Sequence, residues 1–144
     1  MSEQLHRAGE RWQLTFHRSY DNPPEQVWQA VTEPGLLGRW YPMTVDSLDL
    51  RPGGSIAFHD EEGNVVSAEV VEADPPRAFS FDEFDDETGD HRLDLLLEPD
   101  GTGCRFTFTH TFDSGAWAEQ MEEGWEHCLA ALGELLDELG TEPA

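Results

Sequence analysis

The sequence predicts an α+β domain in which a curved antiparallel β-sheet wraps around one long C-terminal α-helix. Three observations predict it. Residues 104–112 alternate cleanly, with Cys104, Phe106, Phe108, His110 and Phe112 on one face and Arg105, Thr107, Thr109 and Thr111 on the other. The middle of the chain is a run of short apolar stretches separated by Gly- and Pro-containing turns, the spacing of antiparallel neighbours. Near the C-terminus, Trp117, Met121, Trp125, Cys128, Leu132, Leu135 and Leu139 recur at spacings of 4, 4, 3, 4, 3 and 4, a continuous apolar stripe on one helix.

One domain spans 1–144, with residues 1–10 expected to form a flexible N-terminal segment. Residues 11–20 alternate as a strand. Asp21-Asn22-Pro23-Pro24 then reads as a helix start, a capping residue followed by prolines in the first turn. Val27, Trp28 and Val31 share one face of that helix, and Pro34-Gly35 ends it. A second short helix is expected from Leu36 to about Trp40, stopping before Pro42. Strands follow at 44–50, 55–59, 65–73, 77–84, 91–97 and 104–112. Their turns are Arg51-Pro52-Gly53-Gly54, Asp60-Glu61-Glu62-Gly63-Asn64, Asp74-Pro75-Pro76, residues 85–90, and Glu98-Pro99-Asp100-Gly101.

The long helix is expected over 114–139, with Ser114 as its N-cap and Gly140 as its C-cap. Its outer face holds like-charge pairs one turn apart, Glu119/Glu123, Glu122/Glu126 and Glu134/Glu138. Asp137 and Glu138 sit at the negative end of the helix dipole, and residues 114–144 contain no Lys or Arg. Such a helix depends on the tertiary packing of its stripe.

Composition narrows the function. The 144 residues carry 31 Asp and Glu against 8 Lys and Arg, a formal net charge of −23, and every cation is arginine. Residues 1–60 hold a net −3 and residues 61–144 a net −20. Such a chain is repelled by nucleic acid and by anionic membrane surfaces. No apolar run reaches the ~18 residues of a membrane span, and the first residues lack a signal-peptide pattern. The two cysteines, Cys104 and Cys128, are too few for a disulfide scaffold. These features point to a cytoplasmic protein with two reduced thiols.

Four stretches carry a family resemblance. They are Pro23-Pro24-Glu25-Gln26-Val27-Trp28-Gln29-Ala30-Val31-Thr32-Glu33-Pro34, Leu37-Gly38-Arg39-Trp40-Tyr41-Pro42, Leu50-Arg51-Pro52-Gly53-Gly54, and Glu123-Gly124-Trp125-Glu126-His127-Cys128-Leu129-Ala130-Ala131-Leu132. In this order and spacing the chain resembles the START-like, or SRPBCC, helix-grip superfamily. More narrowly, it resembles the family named for the homologue-1-like activator of the heat-shock protein 90 ATPase. The resemblance runs from about Leu14 to Leu139. It implies a cavity between sheet and long helix that holds a small apolar molecule. The wider superfamily includes lipid carriers, hormone receptors and polyketide aromatase/cyclases, so the fold alone does not name a role.

No catalytic motif stands out, and no catalytic residue, metal or cofactor is assigned. Gly53-Gly54 reads as a turn, because a strand rather than a helix follows it. His110 shares a face with Phe106 and Phe108, so it is either a satisfied core histidine or a polar anchor inside an apolar pocket. An inward carboxylate such as Glu83 beside it would make proton transfer conceivable. His59-Asp60-Glu61-Glu62 and Asp82-Glu83-Phe84-Asp85-Asp86-Glu87 lack the spacing of known zinc or EF-hand sites. The candidate ligand-binding residues are Trp40, Phe58, Phe81, Phe108, His110, Trp117, Met121 and Trp125.

The expected function is therefore binding of a small, largely apolar molecule by a monomer or homodimer. The alternatives are a co-chaperone-like module that meets a protein partner, and an aromatase/cyclase-like enzyme.

Overall fold

Alternation along β8 (Gly103–Phe112) decides the architecture. Its inward residues Cys104, Phe106, Phe108, His110 and Phe112 are all buried, while Arg105 on the other face is exposed. The computed structural model describes residues 5–85, 89–113 and 118–141. In chain order the other elements are β1 (Leu5–Ala8), β2 (Arg11–Tyr20), α1 (Pro24–Thr32), α2 (Pro34–Trp40), β3 (Thr44–Leu48), β4 (Ser55–His59), β5 (Val65–Asp74), β6 (Ala78–Asp85), β7 (Gly89–Asp100) and, after β8, α3 (Ala118–Thr141). The eight strands form one antiparallel sheet in the order β1-β2-β8-β7-β6-β5-β4-β3. α3 lies against its inner face, with Trp125, Cys128, Leu129, Leu132, Leu135 and Leu136 buried. This is the helix-grip arrangement.

Several expectations need correction. The segment expected to be flexible contains β1, which pairs with β2 from Leu5↔Leu14 to Ala8↔Arg11. The Arg7 guanidinium lies 4.8 Å from the centre of the Trp12 ring, which helps to hold this edge. Pro34 opens α2 as well as closing α1, because proline's fixed φ suits the first turn of a helix and its missing N–H is not needed there. Ser114 and Trp117 fall outside the described residues. β7 runs to Asp100, through Pro99. β6 stops pairing at Leu96, so Pro99 pairs only with Cys104 of β8 and its missing N–H breaks no central ladder.

Asn22 does not cap α1: Pro23 is the N-cap and makes no side-chain cap bond. The buried Asn22 amide instead donates to the Leu136 carbonyl of α3 at 2.8 Å and to Gln26 Oε1 at 2.5 Å. Gln26 donates to the Leu139 carbonyl at 3.2 Å, one of the carbonyls a helix end leaves without an internal partner. Gly140 lies within α3 rather than capping it. A Cβ there would sit 3.3 Å from the Asn22 amide nitrogen, so the missing side chain gives Asn22 room. The Gly53-Gly54 turn is equally constrained. Gly53 has φ of +83°, and a Cβ on Gly54 would fall 2.0 Å from the Asp49 carbonyl oxygen.

Among the described residues, no helix is long and apolar enough to cross a membrane. Cys104 and Cys128 are buried free thiols, and burial pushes the Cys104 thiol up to about 11.

Candidate functional site

An aromatic cluster fills the space between the sheet and the first turns of α3. The Phe108 ring of β8 meets the Trp125 ring of α3 at 4.6 Å between centres. Phe58 of β4 and Phe81 of β6 lie 6.2 Å apart, on inward positions of their strands. Trp40 ends α2 and is anchored by its indole N–H, which donates to the Ala30 carbonyl of α1 at 2.9 Å. Met121 is half-buried against the same core.

The residue that joins this cluster is Tyr41, which the sequence reading did not single out. Its ring stacks on Phe58 at 5.0 Å and meets Trp125 at 5.6 Å, Trp40 at 5.9 Å and Phe81 at 6.2 Å. The local cause is Pro42. A residue before proline avoids the helical region, so Tyr41 leaves α2 in an extended conformation (φ −70°, ψ 149°) and its ring turns inward.

Two hydrogen-bonded polar groups lie on this inner face. In the first, the Trp125 indole N–H donates to His110 Nδ1 at 2.8 Å. That fixes the His110 hydrogen on Nε2, which lies 2.8 Å from His91 Nδ1 and donates to it. His91 therefore carries its hydrogen on Nε2. Burial above all, then His91 and Arg11, lowers the His110 pKa to about 3, so the ring is neutral. Both His110 nitrogens are thus taken by protein partners. In the sequence His91 marks only the start of a strand. Its parity with the buried Leu93, Leu95 and Leu97 is the signal that would have turned it inward.

In the second group, the Tyr41 hydroxyl donates to Glu83 Oε1. Glu83 stands opposite His91 in the β6–β7 register and so faces inward with it. Burial, and next the Glu83 carboxylate, hold the Tyr41 phenol well above its ordinary pKa.

A groove of about 530 Å³ opens where the α2–β3 junction faces the β4–β5 turn. Tyr41 and Met43 line it on one side and residues 59–63 on the other. The Asp60 carboxylate builds that turn. It accepts the backbone N–H groups of Glu62 and Asn64, each at 2.9 Å, and the Asn64 side-chain amide, which lowers its pKa. His59 Nδ1 bonds the Asp46 carboxylate at 2.8 Å. The second acidic run is split by strand alternation: Asp82 pairs with Arg92 on the outer face, whereas Glu83 turns inward to Tyr41.

Seven of the eight candidate residues fall among those described, and all seven belong to one packed region.

The model of the family described as Activator of Hsp90 ATPase homolog 1-like protein matches residues 21–137. No curated protein matches the chain. Solved structures do. CalU16 from Micromonospora echinospora is 29% identical, with a TM-score of 0.77 over 89% of this chain and 78% of that one. MLL2253 from Mesorhizobium loti is 22% identical, with a TM-score of 0.80 over 91% and 99%. CV1439 from Chromobacterium violaceum is also 22% identical, with a TM-score of 0.75 over 86% and 96%. The last two likenesses bear on the fold alone.

Proposed function

The chain belongs to the Activator of Hsp90 ATPase homolog 1-like family, and from that premise we propose that it binds a small, largely apolar molecule between the sheet and α3. The observation that carries this reading is the double position of Tyr41. Its ring is part of the aromatic cluster and at the same time a wall of the open groove. A molecule seated in the groove is one side chain, Tyr41, away from Phe58, Phe81 and Trp125, with Phe108 behind Trp125. Rotation of Tyr41 would join the groove, about 530 Å³, to that apolar interior.

Magnitudes set the size of the ligand. Micromolar affinity requires a net of about 8 kcal/mol, and association costs at least about 4 kcal/mol. At about 25 cal/mol per Å² the ligand must bury ~500 Å² of apolar surface in total, counting both partners, which suits a fused-ring or branched-chain body. Met121, half-buried beside the cluster, would supply an adaptable wall.

Native mass spectrometry of gently purified protein, followed by solvent extraction, tests the reading. A stoichiometric apolar adduct is the expected result. The apolar fluorophore N-phenyl-1-naphthylamine gives a second readout, with saturable fluorescence. No adduct together with no saturable fluorescence would refute the proposal.

A further inference from the structure

His110 is the histidine that the sequence places in the grip, yet it has nothing left to offer a ligand. One nitrogen takes the Trp125 N–H and the other gives its hydrogen to His91. The Tyr41–Glu83 pair is built differently. Tyr41 spends its only O–H on Glu83. The Tyr41 phenol therefore has no hydrogen left to give, and its partner is an acceptor that takes hydrogens rather than supplying them.

The surroundings share that polarity. Phe58, Phe81 and Trp125 surround the Tyr41 ring, and the faces of aromatic rings carry partial negative charge. The groove that reaches Tyr41 is lined by Asp60, Glu61 and Glu62, and no Lys or Arg stands among its lining residues. A ligand that pushes Tyr41 aside also strips Glu83 of the hydrogen bond that Tyr41 gives it. An apolar molecule, or an anion, gives Glu83 no hydrogen bond in place of the one from Tyr41. A molecule with a hydrogen-donating cationic head replaces the lost bond with a charge-assisted one.

Building on the apolar-ligand reading above, we propose that the ligand is a cationic amphiphile: a ring-bearing apolar body with an amine whose ammonium group takes the place of the Tyr41 hydroxyl at Glu83. The body lies against Phe58, Phe81 and Trp125, and the ammonium stands between Glu83 and the ring faces. Tyr41 is the movable wall, and Glu83 selects the charge.

Three probes on one skeleton test this by calorimetry at moderate salt: 2-(aminomethyl)naphthalene, 2-methylnaphthalene and 2-naphthylacetic acid. The amine is expected to bind at least about tenfold more tightly than the neutral probe, and the acid most weakly. Glu83→Gln should bring the amine to within about twofold of the neutral probe while leaving the neutral probe unchanged. The double variant Glu61→Gln/Glu62→Gln should keep the amine preference, since exposed rim charges are screened.

If Glu83→Gln does not fold, Tyr41→Phe decides instead. It removes the competing hydroxyl and should bind the amine at least as tightly as the parent protein. A weaker amine complex with Tyr41→Phe would overturn the proposal, as would a preference that survives Glu83→Gln. If the neutral probe binds and the amine binds no better, the proposal falls while the apolar-ligand reading stands. If no probe binds, the cationic-ligand proposal falls, and the apolar-ligand reading is decided by the mass spectrometry and fluorophore titration above.

Discussion

At the scale of single residues, a hydrogen bond fixes where a proton resides. Trp125 can only donate, so His110 must accept at Nδ1 and give from Nε2. Adding a proton to His110 would set two hydrogens facing each other across the Trp125 contact. The sign of the pH dependence follows. The unfolded chain binds this proton below about pH 6.5, but the folded one, with its pKa near 3, does not. Stability is therefore lost as pH falls through that window, at about 1.4 kcal/mol per unit. Urea denaturation of the parent and of His110→Gln at about pH 7.5 and about pH 5 should show the parent losing ~2 kcal/mol more, the acidic residues being common to both. Equal losses would refute this. Trp125→Phe should cost roughly 1–3 kcal/mol at neutral pH, by leaving a buried acceptor without its donor. An unchanged urea midpoint would count against that assignment. Residue by residue, strand parity made the inward face of His110 legible, and the same parity would have disclosed His91. Tyr41 was not legible, because its role depends on a bend imposed by Pro42 and on a carboxylate 42 residues away.

At the scale of elements, α3 carries acidic pairs on its outside and draws its support from other parts of the chain. Arg39 of α2 reaches Glu138 at 2.6 Å, but with side-chain exposures of 51% and 61% the pair is worth at most about 1 kcal/mol. The bonds from Asn22 and Gln26 into its last turns are better protected. Asn22→Ala should lower stability by about 1–2 kcal/mol, read from thermal unfolding, and Arg39→Gln by less than about 0.5. The reverse ranking would mean that charge rather than the buried amide holds the helix end. Raising salt from low to moderate should raise the melting temperature, since repulsion among the acids outweighs the few exposed ion pairs. A flat or falling melting temperature would refute this. Apolar spacing made the body of α3 legible; Leu129 and Leu136 only widened its buried face. Its C-terminal end was misread because Gly140 looks like a cap until Asn22 is seen beside it.

At the scale of the whole molecule, the sheet is open, with β1 and β3 at its edges. Amide hydrogen exchange should be slowest in β8 and its neighbours β2 and β7, and fastest at the two edges. Comparable rates across all strands would contradict this order. The order of the strands also fixes a sequence of events. β3 to β7 pair with successive neighbours and can zip together in turn, but β2 has no inner partner except β8, with Trp12 set against Phe112. On a ribosome, β2 must wait until almost the whole chain has emerged. Its apolar residues Leu14 and Phe16 stay uncovered until β8 closes the sheet, and this is the interval in which a nascent chain is most in need of protection.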